Sequence, residues 1–191
     1  MTYLPPSVER VIPALRRAGQ ISFWTQVVLG VVAALIYIFC IPIASSNASA
    51  PVEINPGRGP GIFFALTGLV CLAVSIYWAS RYTQLARVLG GNTETRPSKA
   101  ETMKTIELGI IVNLVGMAFS LLAAETITGV LLAKALRSEG VAFSPVAINQ
   151  LIQPLDIFVV LGNTHTTVAH FVALVFSLWL LRWVANSTAS D

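Results

Sequence analysis

The stretch Ile157 to Leu181, IFVVLGNTHTTVAHFVALVFSLWLL, carries no Asp, Glu, Lys or Arg and lies between Asp156 and Arg182. A hydrocarbon core of ~30 Å needs about 20 mainly apolar residues in one helix. The stretch meets that length and reads as a transmembrane span, so its few polar residues are the exceptions to explain. Asp156, Asn163, His170 and Ser177 recur every seven residues, along one slowly drifting helical face. Thr167 falls on the same stripe, while Phe158, Leu161, Val168 and Leu178 occupy opposite positions that suit lipid. His165 and His170 are five residues apart and point roughly 140° from each other at 3.6 residues per turn, so they cannot form one helical metal clip.

Three further windows lack charge: Ala18 to Val52, with its apolar heart at Val27 to Ala44, then Gly59 to Ser80 and Leu108 to Ala124. Together they predict an all-α integral membrane protein, a single membrane domain over 1–191 with a bundle of four transmembrane helices at about 21–44, 60–80, 106–126 and 156–182. Composition agrees. The 191 residues are 55% hydrophobic and only 11% charged, with a mean hydropathy of +0.74, whereas soluble domains carry about 25% charge. That excludes an ordinary cytosolic enzyme, a disordered chain and, despite the net charge of +3, a nucleic-acid partner.

The connections carry their own chemistry. Ser45 to Pro60 is rich in Ser, Asn, Gly and Pro and reads as a loop, and Gly90-Gly91-Asn92 breaks the chain after span two. Ser98 followed by Glu101 resembles a capping box opening a helix into span three. That helix continues toward Lys134 and Arg137, longer than a membrane requires, so it must tilt, protrude or break. Pro145 and Pro154 bracket the approach to span four, where Asp156 suits a helix N-terminus.

Of the 12 Lys and Arg, Arg58, Lys134 and Arg137 belong to one side. Arg10, Arg16, Arg17, Arg81, Arg87, Arg96, Lys99, Lys104 and Arg182 belong to the other. The positive-inside rule then places both termini and the loop 81–105 in the cytoplasm or the equivalent stroma. Arg16-Arg17 and Ala48-Ser49-Ala50 resemble signal-peptide features, but the apolar stretch is long for a signal h-region. Val8, Val11, Ile12 and Leu15 instead lie at helical spacing opposite the arginines, predicting a short amphipathic helix on an anionic leaflet, weakened by Pro13.

The span-four stripe has two readings. Asn163, Thr167 and His170 could hydrogen-bond to neighbouring helices, at about 0.6 kcal/mol each. Alternatively they line a cation or proton path, with His170 and Asp156 as candidate metal ligands, since imidazole and carboxylate bind first-row metals. Asn113 and Ser120 share a face of span three, and Gly109 and Gly116 permit close backbone approach. Glu125 is expected near the level of Asp156, either as a mouth for divalent cations or as a partner of Lys134 or Arg137. Gly61, Gly68 and Ser75 form a small-residue seam suited to helix packing. Trp24, Trp78, Trp179 and Trp183 lie near span ends, as interfacial anchors do. Cys40 and Cys71, the only two cysteines, fall at different depths and are expected to stay unbridged. No P-loop, GxGxxG, CxxC, HExxH or GxSxG motif occurs, so no enzyme activity is expected.

The stretches GIIVNLVGMAFSLLAAETITGVLLAKAL (Gly109 to Leu136) and LDIFVVLGNTHTTVAHFVALVFSLWLLR (Leu155 to Arg182) resemble the 21-kilodalton inner-envelope family of the chloroplast import translocon, also called permease in chloroplasts. The similarity runs from about Arg16 to Val184 and is strongest in the second half. The resemblance implies a four-helix membrane protein of the chloroplast inner envelope or, in a cyanobacterial member, of the plasma or thylakoid membrane. With no transit peptide evident, a cyanobacterial member is expected. Two roles attach to the family, iron permeation and protein import. Its pattern retains the residues matching Asp156, Asn113 and His170, and departs at His165, where plant members tend toward an amide.

The leading expectation is a permease or homeostasis factor for iron or another divalent cation. Asp156 and Glu125 would form its mouth, and Asn163, Thr167, His170 and Asn113 its path. Four tightly packed helices leave no hydrated pore, so transport would need a homo-oligomer or a membrane-protein partner in the bilayer. The alternative is a non-catalytic subunit of a protein translocon or a photosynthetic-complex assembly factor. Ligation of chlorophyll by His165 or His170 is a third reading.

Overall fold

The computed structural model describes residues 6–46, 58–91, 96–138 and 152–187. Their regular elements are four α-helices: α1 Pro6–Ser46, α2 Arg58–Leu89, α3 Lys99–Ser138 and α4 Pro154–Asn186. All four are long and apolar enough to cross a membrane. The loop 47–57 with Ala48, Ser49 and Ala50, and also Asn92 and Pro145, lie outside the described residues.

The helix starts follow from local chemistry. At α3 the Ser98 backbone N–H donates to Glu101 Oε2 at 2.8 Å, and the Glu101 N–H donates to Ser98 Oγ at 3.2 Å. This reciprocal pair satisfies donors that a helix N-terminus leaves unbonded. Pro154 opens α4 at a position where its missing N–H costs nothing. One turn on, Asp156 Oδ2 accepts the Gln153 N–H at 3.1 Å.

The helices outrun the expected spans. The expected cytoplasmic loop 81–105 is helical up to Leu89 and again from Lys99. The N-terminal amphipathic segment is continuous with α1 through Pro13 rather than a separate helix on a leaflet. The physical reason is protein packing: Val11, Leu15 and Ala18 are buried with Tyr82, Ala86, Leu89, Ile106, Leu180 and Val184. The apolar stripe read as lipid-seeking therefore faces protein, while Arg10, Arg16 and Arg17 remain exposed. The long third helix does not break, since α3 runs unbroken over 40 residues.

Internal packing divides the chain into two compact units. Unit one comprises Met1–Val28, Cys71–Val115 and Ala169–Asp191; unit two comprises Leu29–Val70 and Gly116–Val168. Every helix contributes a segment to each. Unit one holds the cluster around Leu15 and Tyr82 just described. In unit two, Ala33, Tyr37, Ala65 and Ala123 form the buried centre, with Phe64, Ile127 and Val159 packed against it. Only 28–33% of each helix's most apolar window is buried inside the protein. Val31, Ile38, Phe39, Phe63, Val70, Ile111 and Phe171 are all more than half exposed. Apolar faces of that extent are stable against lipid, not water, so this is a multi-pass integral membrane protein.

Candidate functional site

Within unit one, each helix sends one polar side chain into a shared cluster: Gln26 from α1, Ser75 from α2, Asn113 from α3 and His170 from α4. None is more than 2% exposed. Asn113 Oδ1 is the common acceptor. Ser75 Oγ donates to it at 2.7 Å, Gln26 Nε2 lies at 3.3 Å, and His170 Nδ1 at 3.1 Å. A carbonyl oxygen can only accept, so the bond requires the proton of His170 on Nδ1. Gln26 Nε2 also donates to Ser75 Oγ at 2.5 Å. Asn113 Nδ2 donates to the Gly109 carbonyl at 2.8 Å, which fixes the orientation of its amide.

Asn113 and His170 were legible as polar groups within apolar spans; Gln26 was not singled out. Its signal was present: Gln26, Ala33 and Cys40 recur every seven residues and are all buried. Gln20, Ser22 and Thr25 nearby disguise it as part of a polar span end. Ser75, assigned to a packing seam, is a hydrogen-bonding member of the cluster. Below it on α4, Ser177 Oγ shares a 3.1 Å hydrogen bond with the Tyr82 hydroxyl. Trp78 donates from Nε1 to the Thr105 carbonyl at 2.9 Å, so it serves packing as well as anchoring.

The remaining candidates for the path and its mouth lie in unit two. Asn163 Nδ2 donates to the Ser120 carbonyl at 2.9 Å, and Asn163 Oδ1 is buried with no donor among the described residues. Thr167 is only partly buried and its hydroxyl donates back to the Asn163 carbonyl at 2.9 Å; Thr166 is the threonine that is fully buried. His165 bonds the Leu161 carbonyl of its own helix through Nδ1 at 2.7 Å. Asp156 Oδ2 accepts from Lys134 Nζ at 2.6 Å, with both side chains largely buried. Glu125 is exposed.

These placements decide what chemistry is available. His170 and Asp156 are 14 residues apart on α4, roughly 21 Å along the axis at 1.5 Å per residue, and cannot share an ion. Among the described residues no group of three or more His, Cys, Asp or Glu comes together to hold a metal. Cys40 and Cys71 are unbridged.

The small residues set the helix spacing. A Cβ on Gly109 would collide with the Tyr82 hydroxyl, and one on Gly68 would sit 2.8 Å from Ser120 Oγ and 3.6 Å from the Gly116 carbonyl. A Cβ on Gly61 would meet Ile127 at 3.0 Å.

Four lipid-facing helices whose polar groups are turned on one another define a polytopic α-helical membrane protein. More particularly, the chain belongs to the family described as "Protein of unknown function (DUF3611)", whose model matches residues 5–185. It is 33% identical over 184 residues to "Protein TIC 21, chloroplastic" of Arabidopsis thaliana, covering 93% of this chain and 58% of the relative. The chain thus spans well under two thirds of the length of that curated relative. The resemblance drawn from Gly109–Leu136 and Leu155–Arg182 is to the same family. No solved structure matches the chain.

Proposed function

We propose that this protein is a non-catalytic interaction subunit of a membrane assembly of the protein-translocon type, with both termini and the basic stretch 81–105 on the cytoplasmic or stromal side. The observation that carries this reading is how the spans use their polar groups. Ser75 and His170 both bond Asn113, Asn163 bonds the Ser120 carbonyl, and Asp156 is neutralised by Lys134. What the helices turn outward is apolar surface fit for lipid or for another membrane helix. The name of the chloroplastic relative supports the translocon class. Purification from native membranes in mild detergent, with flux of Fe²⁺ and Mn²⁺ measured in proteoliposomes, tests it. A stoichiometric membrane-protein partner and flux no higher than in empty liposomes are expected; cation flux by the purified protein overturns the reading.

Permeation of iron or another divalent cation is the second reading. It is favoured by Gln26 Oε1 and Asn163 Oδ1, two buried amide oxygens without donors among the described residues. Oxygen atoms of that kind are hard ligands suited to a passing cation. Under it, Gln26→Leu, Asn163→Leu and His170→Ala each reduce flux in liposomes.

A further inference from the structure

On unit one, a groove of about 450 Å³ is lined by Arg10 of α1 and by Trp179, Arg182, Trp183, Asn186 and Ser187 at the end of α4. We propose that this groove holds the phosphate of an anionic phospholipid headgroup. The proposal does not depend on the interaction-subunit reading.

Charge comes first. Both arginines are exposed, and among the described residues neither guanidinium has a carboxylate within ion-pair distance. Guanidinium groups grip phosphate through paired N–H donors, geometry that a point charge lacks. The carbonyl end of α4 would by itself repel an anion. Lys99 removes that objection, because its Nζ caps the Ala185 carbonyl at 3.1 Å.

The aromatic wall argues for a lipid rather than a free phosphate. Trp179 and Trp183 stack with ring centroids 5.6 Å apart and stay 46% and 44% exposed. Indole rings at the end of a membrane-crossing helix sit at headgroup depth, where the glycerol and the upper acyl chain cover apolar ring surface. Basic pockets at that level suit acidic lipids. Unit one also holds nine of the chain's 12 Lys and Arg, so the surrounding field favours an anion.

Native mass spectrometry of the full chain, stripped of lipid and titrated with phosphatidylglycerol, phosphatidylcholine or inorganic phosphate, tests the proposal. Phosphatidylglycerol is expected to bind and phosphatidylcholine not. Arg10→Gln with Arg182→Gln should weaken it roughly thirtyfold, at the strength of two interfacial charges. Arg81→Gln with Arg87→Gln, which removes equal charge from exposed positions of α2 outside the groove, should weaken it far less. If the glutamine pair fails to fold, Arg10→Lys with Arg182→Lys and Trp179→Leu with Trp183→Leu take its place, each expected to weaken binding. Equal binding of both lipids, equal loss in the two glutamine pairs, no loss in the groove variants, or displacement of the lipid by inorganic phosphate overturns the proposal.

Discussion

Asn113 concentrates the polar chemistry of unit one on a single oxygen, which gives its removal an outsized consequence. Asn113→Ala strips the acceptor from Gln26, Ser75 and His170 together. At about 0.6 kcal/mol per membrane hydrogen bond, the loss should approach ~2 kcal/mol. Reversible unfolding in mixed micelles measures it. Thr164→Ala, at an exposed hydroxyl bonded only to the Val160 carbonyl of its own helix, should change stability by less than about 0.5 kcal/mol. Gly109 offers a second test, because the atom that excludes a larger side chain there is known. Gly109→Ala is expected to destabilise, and adding Tyr82→Phe should restore part of the loss by clearing the hydroxyl. The rescue stays partial, since Trp78 Cδ1 also lies 3.0 Å from the added carbon. A double-mutant cycle on the same unfolding signal reads both effects.

At the scale of the element, the start of α3 is governed by one exposed carboxylate. The Ser98 backbone N–H, and then its hydroxyl, hold the Glu101 carboxyl below the usual range. A carboxyl whose pKa is depressed by folding stabilises the folded state above its unfolded value, and that contribution is lost as pH falls through the folded one. Amide protection over Lys99 to Met103, corrected for intrinsic exchange, should therefore decline below the ordinary glutamate range. In Glu101→Gln it should not respond to pH. This capping box was legible in the sequence, as were all four helices, because both signals are local: hydropathy and a Ser-x-x-Glu spacing suffice. Helix length was not legible. Leu15, Ala86 and Val184 extend their helices by packing on each other, and a single sequence does not say which polar-looking flanks find protein partners. The α4 stripe illustrates the same limit. Its face was read correctly, since Asn163, His170 and Ser177 are all buried. Which atoms they would meet depended on three other helices, and so Asp156, a candidate for a cation mouth, is instead occupied by Lys134.

For the whole molecule, the distribution of charge carries a prediction about sidedness. Nine of the 12 Lys and Arg belong to unit one, which the positive-inside rule assigns to the cytoplasmic side. With Cys40 and Cys71 replaced by serine, a thiol introduced at Glu9 or Lys104 should resist an impermeant maleimide in intact cells, and one at Thr128 should react. All three positions are exposed on the protein, so the difference reports the membrane and not burial. The four-helix cluster around Asn113 also bears on biogenesis. Each span enters the bilayer with a tolerable load, an amide, a hydroxyl or an imidazole, and none completes the cluster alone. A chain released with one span missing would present unpaired donors to acyl chains, marking it as unfinished to any membrane protease that samples such surfaces. Chains truncated before the fourth helix, which lack His170, should therefore turn over faster than the full chain in a pulse-chase.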